Sequence, residues 1–178
     1  MDNLVDHAEK IRLRAPEPED LDVMFQMENG NDLWSEGIAT GPYSRYQLKK
    51  YIEENQNDLF SDRQLRLMIE HEELGVAGII DICTFEPRHM RGEVGLFIRK
   101  DFRGRGIARV ALNLLERHCF HVLGLHQLYA YIRKGNTACL NLFKSEGYEQ
   151  VGILRSWFYM KNGFQDVCLV QKINDLVE

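Results

Sequence analysis

Apolar positions recur along this chain with two periods, near two residues and near 3.6, and the switches between them predict the elements. Ile11-Arg12-Leu13-Arg14 alternates as a strand, and Pro16 and Pro18 punctuate the turn after it. Glu19-Asp20 opens a helix to about Glu28, with Leu21, Met24, Phe25 and Met27 on its apolar side. Asn29 to Tyr43 carries Gly30, Gly37, Gly41 and Pro42 and reads as a loop, and a second helix is predicted from Ser44 to about Asn57. The middle of the chain is β-like, with strands at 65–69, 76–83 and 93–98. An amphipathic helix over 105–122 follows, with Ile107, Val110, Ala111, Leu114, Leu115 and Val122 on one face. Gln127 to Ile132 returns to strand, and a short helix over 137–146 stops at Gly147, a natural C′ residue. Strands at 150–159 and 166–172 finish the chain, joined through Lys161-Asn162-Gly163, a hairpin signal.

After two leading helices the order is ββββαβαββ. That order predicts an α/β (α+β) fold, a single mixed, mostly antiparallel sheet with flanking helices. No linker, repeat or charge block interrupts the 178 residues, so residues 1–178 are expected to form one domain. The chain is acidic, with net charge −5 and a pI near 5.7, which argues against a nucleic-acid binder.

Cys83, Cys119, Cys139 and Cys168 are scattered through apolar runs with no CxxC pair, and are expected to be reduced, core or near-core thiols. His118 and His121 lie three apart with no partner that would make a metal site, so no metal is expected. The first residues lack a basic and then apolar signal, and no stretch reaches the roughly 18–20 apolar residues of a membrane span. The expectation is a cytoplasmic protein without a membrane partner.

One stretch departs from the average. Residues 99–109, Arg-Lys-Asp-Phe-Arg-Gly-Arg-Gly-Ile-Ala-Arg, hold five basic and one acidic residue, a local +4 that leaves −9 for the rest of a chain at −5. They lie between a strand end and a helix start. The first amides of a helix have no internal partner and its dipole makes that end partly positive. Gly104, Gly106 and the small Ala108 let a bulky anion approach those amides, and Arg103 and Arg105 add charge-assisted donors. The stretch is neither a P-loop nor a GxGxxG fingerprint.

Arg103-Gly104-Arg105-Gly106-Ile107-Ala108 resembles the Arg/Gln-x-x-Gly-x-Gly/Ala signature of the GNAT superfamily of acetyl-CoA-dependent N-acetyltransferases. Glu93-Val94-Gly95-Leu96-Phe97-Ile98 resembles the fourth strand of that family, and Asn136 to Tyr148 resembles its Asn-x-x-Ala-x-x-Leu-Tyr-x-x-x-Gly-Phe segment. The ending Phe158 to Val167 is similar to the spermidine and ribosomal-protein N-acetyltransferase branch. The resemblance runs from Ile11 to Lys172. It implies a groove splayed between strands 93–98 and 127–132, and acetyl-CoA held by the backbone of Leu96, Phe97 and Ile98 and by the loop Arg103, Gly104, Arg105, Gly106, Ile107 and Ala108. Asn136 and Phe143 are expected beside the cofactor by the same analogy.

Acetyl transfer to an amine also requires a proton acceptor, because an alkylammonium has a pKa near 10.4. Glu93 matches the family's strand-four glutamate and is the first candidate. Asp81, in an otherwise apolar strand, is the second. Phe143 stands where the family frequently has a tyrosine that protonates the leaving thiolate; Tyr131 and Ser145 are the substitutes considered. Trp34, Glu36 and Tyr43 are candidate acceptor-lining residues, while Ile38 to Tyr43 lacks the paired glutamates of the spermidine enzymes. The acceptor therefore stays open among a polyamine such as spermidine, a protein N-terminus and another small amine. A CoA-binding sensor with little catalysis is the alternative that Phe143 raises. The terminal hairpin, with Trp157, Phe158, Tyr159 and Phe164, is expected either to shape the substrate groove or to bury a homo-oligomer contact.

Overall fold

The structure, a computed structural model, describes residues 10–30 and 41–175. In chain order the elements are β1 (Ile11–Arg14), a 3-10 turn (Pro18–Asp20), α1 (Leu21–Glu28), α2 (Arg45–Glu54), α3 (Leu59–Asp62), β2 (Leu65–His71), β3 (Gly75–Glu86), β4 (Arg91–Ile98), α4 (Ile107–Arg117), a π turn (His118–Val122), β5 (Gln127–Arg133), α5 (Thr137–Ser145), β6 (Glu149–Met160) and β7 (Gly163–Ile173). The strands form one seven-stranded sheet in the order β1-β2-β3-β4-β5-β7-β6. Every neighbouring pair is antiparallel except β4 and β5. The mixed, mostly antiparallel sheet expected from the sequence is therefore present, with the two leading helices following β1 rather than preceding it. No helix among the described residues is long and apolar enough to cross a membrane.

Packing covers the two sheet faces unequally. On one face Ile107, Ala111, Leu112 and Leu115 of α4 share one core cluster with Ile80, Ile82, Val94, Leu128, Ala130 and Ile132 of the sheet, and α5 adds Phe143. On the other, α1 and α2 contribute Met24, Met27 and Leu48 to a smaller cluster with Met68 and Ile79, where Phe97 also packs. Among the described residues, no helix covers the second face over β5 and β6. Consecutive residues of β4 therefore look to different sides, Leu96 and Ile98 to the α4 core and Phe97 to the α1–α2 cluster.

Local chemistry sets the helix ends. Ser44 caps α2 through a capping box, its Oγ accepting from the Gln47 amide at 3.1 Å while Gln47 Oε1 accepts from the Ser44 amide at 2.8 Å. α2 stops at Glu54, short of the expected Asn57, because Asn57 turns left-handed (φ 54°) and Asp58 starts the separate helix α3. The two ends of the 29–43 loop are clamped by Asn29, whose side chain donates to the Tyr43 carbonyl at 3.0 Å and accepts from its amide at 2.9 Å.

Candidate active site

β4 and β5 pair over three residues only, Arg91, Gly92 and Glu93 against Gln127, Leu128 and Tyr129. Beyond Glu93 they part, because β4 keeps its register with β3 as far as Ile98 while β5 follows β7 to Arg133. The expected splay is thus present, and Glu93 sits at its apex. The Arg99 amide donates to the Ala77 carbonyl at 2.9 Å. Antiparallel alternation from that bond turns the amide and carbonyl of Phe97 and Gly95 toward β3, and those of Ile98, Leu96 and Val94 toward the gap. Leu96 and Ile98 therefore offer backbone to the gap. Phe97, expected to do the same, instead bonds toward β3, and Val94 joins the open edge.

At the mouth of the gap, Gly104 and Gly106 hold φ of 75° and 76°, and Gly106 is the N-cap of α4. Glycine takes such angles at no steric cost. Among the described residues, no backbone carbonyl accepts from the amides of Arg105, Gly106, Ile107 or Ala108. These amides converge on one helix start, where the dipole adds to them. Arg103 Nε donates to the Ile98 carbonyl at 2.9 Å, which fixes its side chain at the end of the gap, and its guanidinium lies 5.9 Å from the Phe97 ring centre. Arg105 rests over Phe102 and is exposed. Arg99 donates to the Val76 carbonyl at 2.7 Å and Arg109 is paired with Glu146 at 2.7 Å, so both have structural work already. The Ile107 side chain is core, and only its backbone reaches the site.

Glu93, Gly95 and Phe97 share the face of the sheet away from α4. A Cβ on Gly95 would lie 2.6 Å from Cys83 Sγ and 3.6 Å from Asp81 Cβ, which puts Cys83 and Asp81 on that face too. Cys83 is exposed, against the expectation of a core or near-core thiol, because it continues the Ile79 and Asp81 side of β3 onto the face away from α4. The Glu93 carboxyl is half-buried, and burial pushes its pKa up against an opposing hydrogen bond from Thr84. Asp81 is raised by burial and lowered by Arg66, which grips it with Nε–Oδ1 at 3.1 Å and Nη2–Oδ2 at 2.8 Å. Arg66 also donates to Glu28. Asp81 is therefore paired, and among the described residues no cation grips Glu93, the carboxylate at the apex. Arg66→Met is expected to cost about 3 kcal/mol of unfolding free energy in urea, growing as pH rises, since Asp81 would ionise without its partner.

The remaining candidates divide. Asn136 is committed in part, its Oδ1 accepting from the Cys139 amide at 3.2 Å as the N-cap of α5. Phe143, expected beside the cofactor, is instead sealed in the core, 1% exposed and edge-on to Tyr148 at 4.8 Å. Phe143→Tyr is accordingly expected to lower stability by about 1–3 kcal/mol, by burying a hydroxyl without a ready partner, and to show as a reduced thermal midpoint. Ser145 is tied to the Leu142 carbonyl and to Arg109, which removes it as a proton donor to the gap. Tyr43 is exposed at the loop end, and Trp34 and Glu36 lie outside the described residues. Sequence reasoning missed Arg66, whose only signal is a charge in an apolar strand, and Tyr129; Tyr131, considered as a proton donor, and Trp157 of the aromatic hairpin stand in a row with Tyr129.

Residues 10–149 match the model of the acetyltransferase (GNAT) domain family. The chain is 24% identical over 159 residues to a spermidine N(1)-acetyltransferase of Vibrio cholerae, spanning 89% of this chain and 90% of the relative. It is 25% identical over 171 residues to the Escherichia coli K12 protein of the same name, spanning 92% and 88%. The solved structure of the Vibrio cholerae spermidine N-acetyltransferase with CoA and spermine superposes with a TM-score of 0.83 at 23% identity, covering 93% of this chain and 96% of that one. A dodecameric form of that enzyme gives 0.77 at 24% identity over 93% and 95%.

Proposed function

The chain belongs to the GNAT acetyltransferase domain family, and from that premise we propose that it moves an acetyl group from acetyl-CoA to a primary amine of a polyamine such as spermidine. The observation that carries the cosubstrate is the open edge of β4 running into a glycine-lined helix start. A pantetheine arm fits such an edge as an added strand, and a pyrophosphate fits the converging amides of residues 105–108. Relatives named for spermidine, aligned over about nine-tenths of the chain, support the polyamine class.

The cosubstrate supplies an activated acetyl thioester. This chain supplies position and charge. Arg103, Arg105 and the residue 105–108 amides bind phosphate. The gap-facing amides of Leu96 and Ile98 orient the arm, and one of them stabilises charge on the carbonyl oxygen. Glu93 Oε takes the proton that the attacking ammonium must lose, directly or through one water. Phe143 has no proton to give, so the thiolate leaves without help from that position, which a thiol pKa near 8.5 tolerates.

A thiol-release assay over spermidine, aminoglycosides, amino acids and peptides tests this reading, with turnover expected on spermidine. CoA binding without release on any amine would instead favour a sensor. Gly106→Val is expected to raise the acetyl-CoA KM about tenfold with less change in kcat, because a branched side chain is strained at φ 76° and crowds the phosphate. A homo-oligomer belongs to the same proposal: Tyr159 and Phe164 pack 5.0 Å apart on the β6–β7 hairpin, 75% and 65% exposed, and a related enzyme forms a dodecamer.

A further inference from the structure

β6 does not run straight. Its ladder with β7 is interrupted between Leu154 and Phe158, and Ser156 inside the break holds φ at 51°. A residue with a Cβ keeps that conformation where its surroundings impose it. Asp166 imposes it here. Its Oδ1 accepts from the Ser156 amide at 3.0 Å, and its carbonyl accepts from the Lys134 amide at 3.0 Å, just beyond β5. One residue thus fixes the bulge of β6 to the end of β5.

Bulges re-aim side chains. This one presents Trp157, 53% exposed, with its ring centre 6.1 Å from that of Tyr131 and tilted by 32°. Tyr131 packs edge-on against Tyr129 at 5.7 Å, and Tyr129 stands opposite Glu93 in the β4–β5 register. A row of three rings therefore leads from Glu93 across the open face of the sheet. Two cations border it: Arg91 at the exposed start of β4, and Arg133, whose Nη1 reaches Met160 Sδ at 3.6 Å. The ring faces are negative and attract cations, and the half-buried Glu93 carboxylate at the head of the row gives that attraction a direction.

We infer that Tyr129, Tyr131 and Trp157 form the acceptor wall, holding the alkylammonium part of the amine against their rings, and that Asp166 is the positioning residue that aims Trp157. The inference rests on the amine-acetylation reading and specifies its acceptor as an aliphatic cation. Tyr131 and Trp157 then determine specificity: a neutral acceptor of the same shape loses the cation–π attraction, and a quaternary ammonium keeps it without offering a nucleophile.

The probes are tetramethylammonium, n-butylammonium and neutral n-butanol, read by tryptophan fluorescence and as competitors of the acetylation assay. Both cations are expected to give a saturable fluorescence change that n-butanol does not, and Trp157→Phe is expected to remove most of that change. Trp157→Ala and Tyr131→Ala are expected to weaken cation binding about 5- to 30-fold, with CoA affinity unchanged. Asp166→Ala is expected to weaken cation binding several-fold while Asp166→Asn, which keeps an acceptor oxygen, restores it. An equal response in Trp157→Phe, or an equal response to n-butanol, overturns the wall. So does a fall in sedimentation mass in Trp157→Ala with no cation effect, since a second copy of the chain would then cover the ring. A cation response without thiol release on any amine keeps the wall and sinks the acetylation reading. Thiol release with an unaltered amine KM in Trp157→Ala does the reverse.

Discussion

Glu93→Gln is expected to lower kcat by about 10²- to 10⁴-fold, the range for losing a positioned proton acceptor, with the acetyl-CoA KM nearly unchanged. The substitution keeps the size of the side chain and its bond toward Thr84 but cannot accept the proton. Burial holds the Glu93 carboxyl above the ordinary glutamate range. A base must be ionised to act, so wild-type kcat/KM should climb with pH through that elevated pKa, and the climb should vanish in the variant. The stability effect has the opposite sign. A carboxyl whose folded pKa is raised favours the fold while protonated and loses that contribution as pH rises through the folded value. The neutral glutamine is therefore expected to leave the fold at least as stable near neutrality, so lost turnover cannot be traced to unfolding. A kcat within threefold of wild type across pH 5–9 (roughly the span in which carboxylates and histidines titrate) would remove Glu93 from the mechanism.

Gly78→Ala is expected to be the most damaging single methyl in the described structure. The added Cβ would lie 2.1 Å from the Phe97 carbonyl oxygen and 3.1 Å from Ile98 Cα. Both obstacles are backbone, so no rotamer change relieves the clash and β3 and β4 must separate. Overpacking that cannot relax, with loss of ladder bonds, is expected to cost at least about 3 kcal/mol in urea unfolding. Gly78 pairs with Ile98, so the shift would also displace the β4 edge and weaken CoA binding in whatever folded fraction remains. Gly135→Ala is the matched control, with nothing within 4 Å of the added atom, and is expected to change stability by less than about 0.5 kcal/mol.

Much of the fold was legible because long periodic segments are buried on one side. All seven strands were readable as strands, and α4 and α5 as helices, to within a few residues. What failed did so where the period breaks. Val122 fits the apolar face of a continuous helix, yet it is 69% exposed. The helix ends at Arg117 and a π turn follows, with Leu123 donating to the His118 carbonyl five residues back. The extra residue in that turn rotates the phase, swinging Val122 out and bringing Leu125 into the core. The β3 bulge exchanges Thr84 for Phe85 as the buried residue in the same way. Neither insertion changes composition, so neither left a signal. At the site, the glycine-arginine loop was readable because it lies between a strand end and a helix start, and Glu93 was a candidate through its resemblance to the family's strand-four glutamate. The Arg66 grip on Asp81 and Glu28 spans 15 and 38 residues, and the Asp166 hold on Ser156 depends on strand register, which only pairing defines.

The three-residue contact between β4 and β5 makes the sheet behave as a book with a short spine. One leaf is β1 to β4, and the other is β5, β7 and β6. α4 lies on the first leaf, packed on β1, β3 and β4. From it, Arg109 and Asn113 reach Glu146 beyond α5, at 2.7 and 2.9 Å, and Glu116 reaches Lys172 on β7 at 2.6 Å. These polar straps cross behind the spine, where a small change in length is magnified at the page edges. Charge changes along one side of α4 are therefore expected to alter how wide the book stands open, from behind its spine.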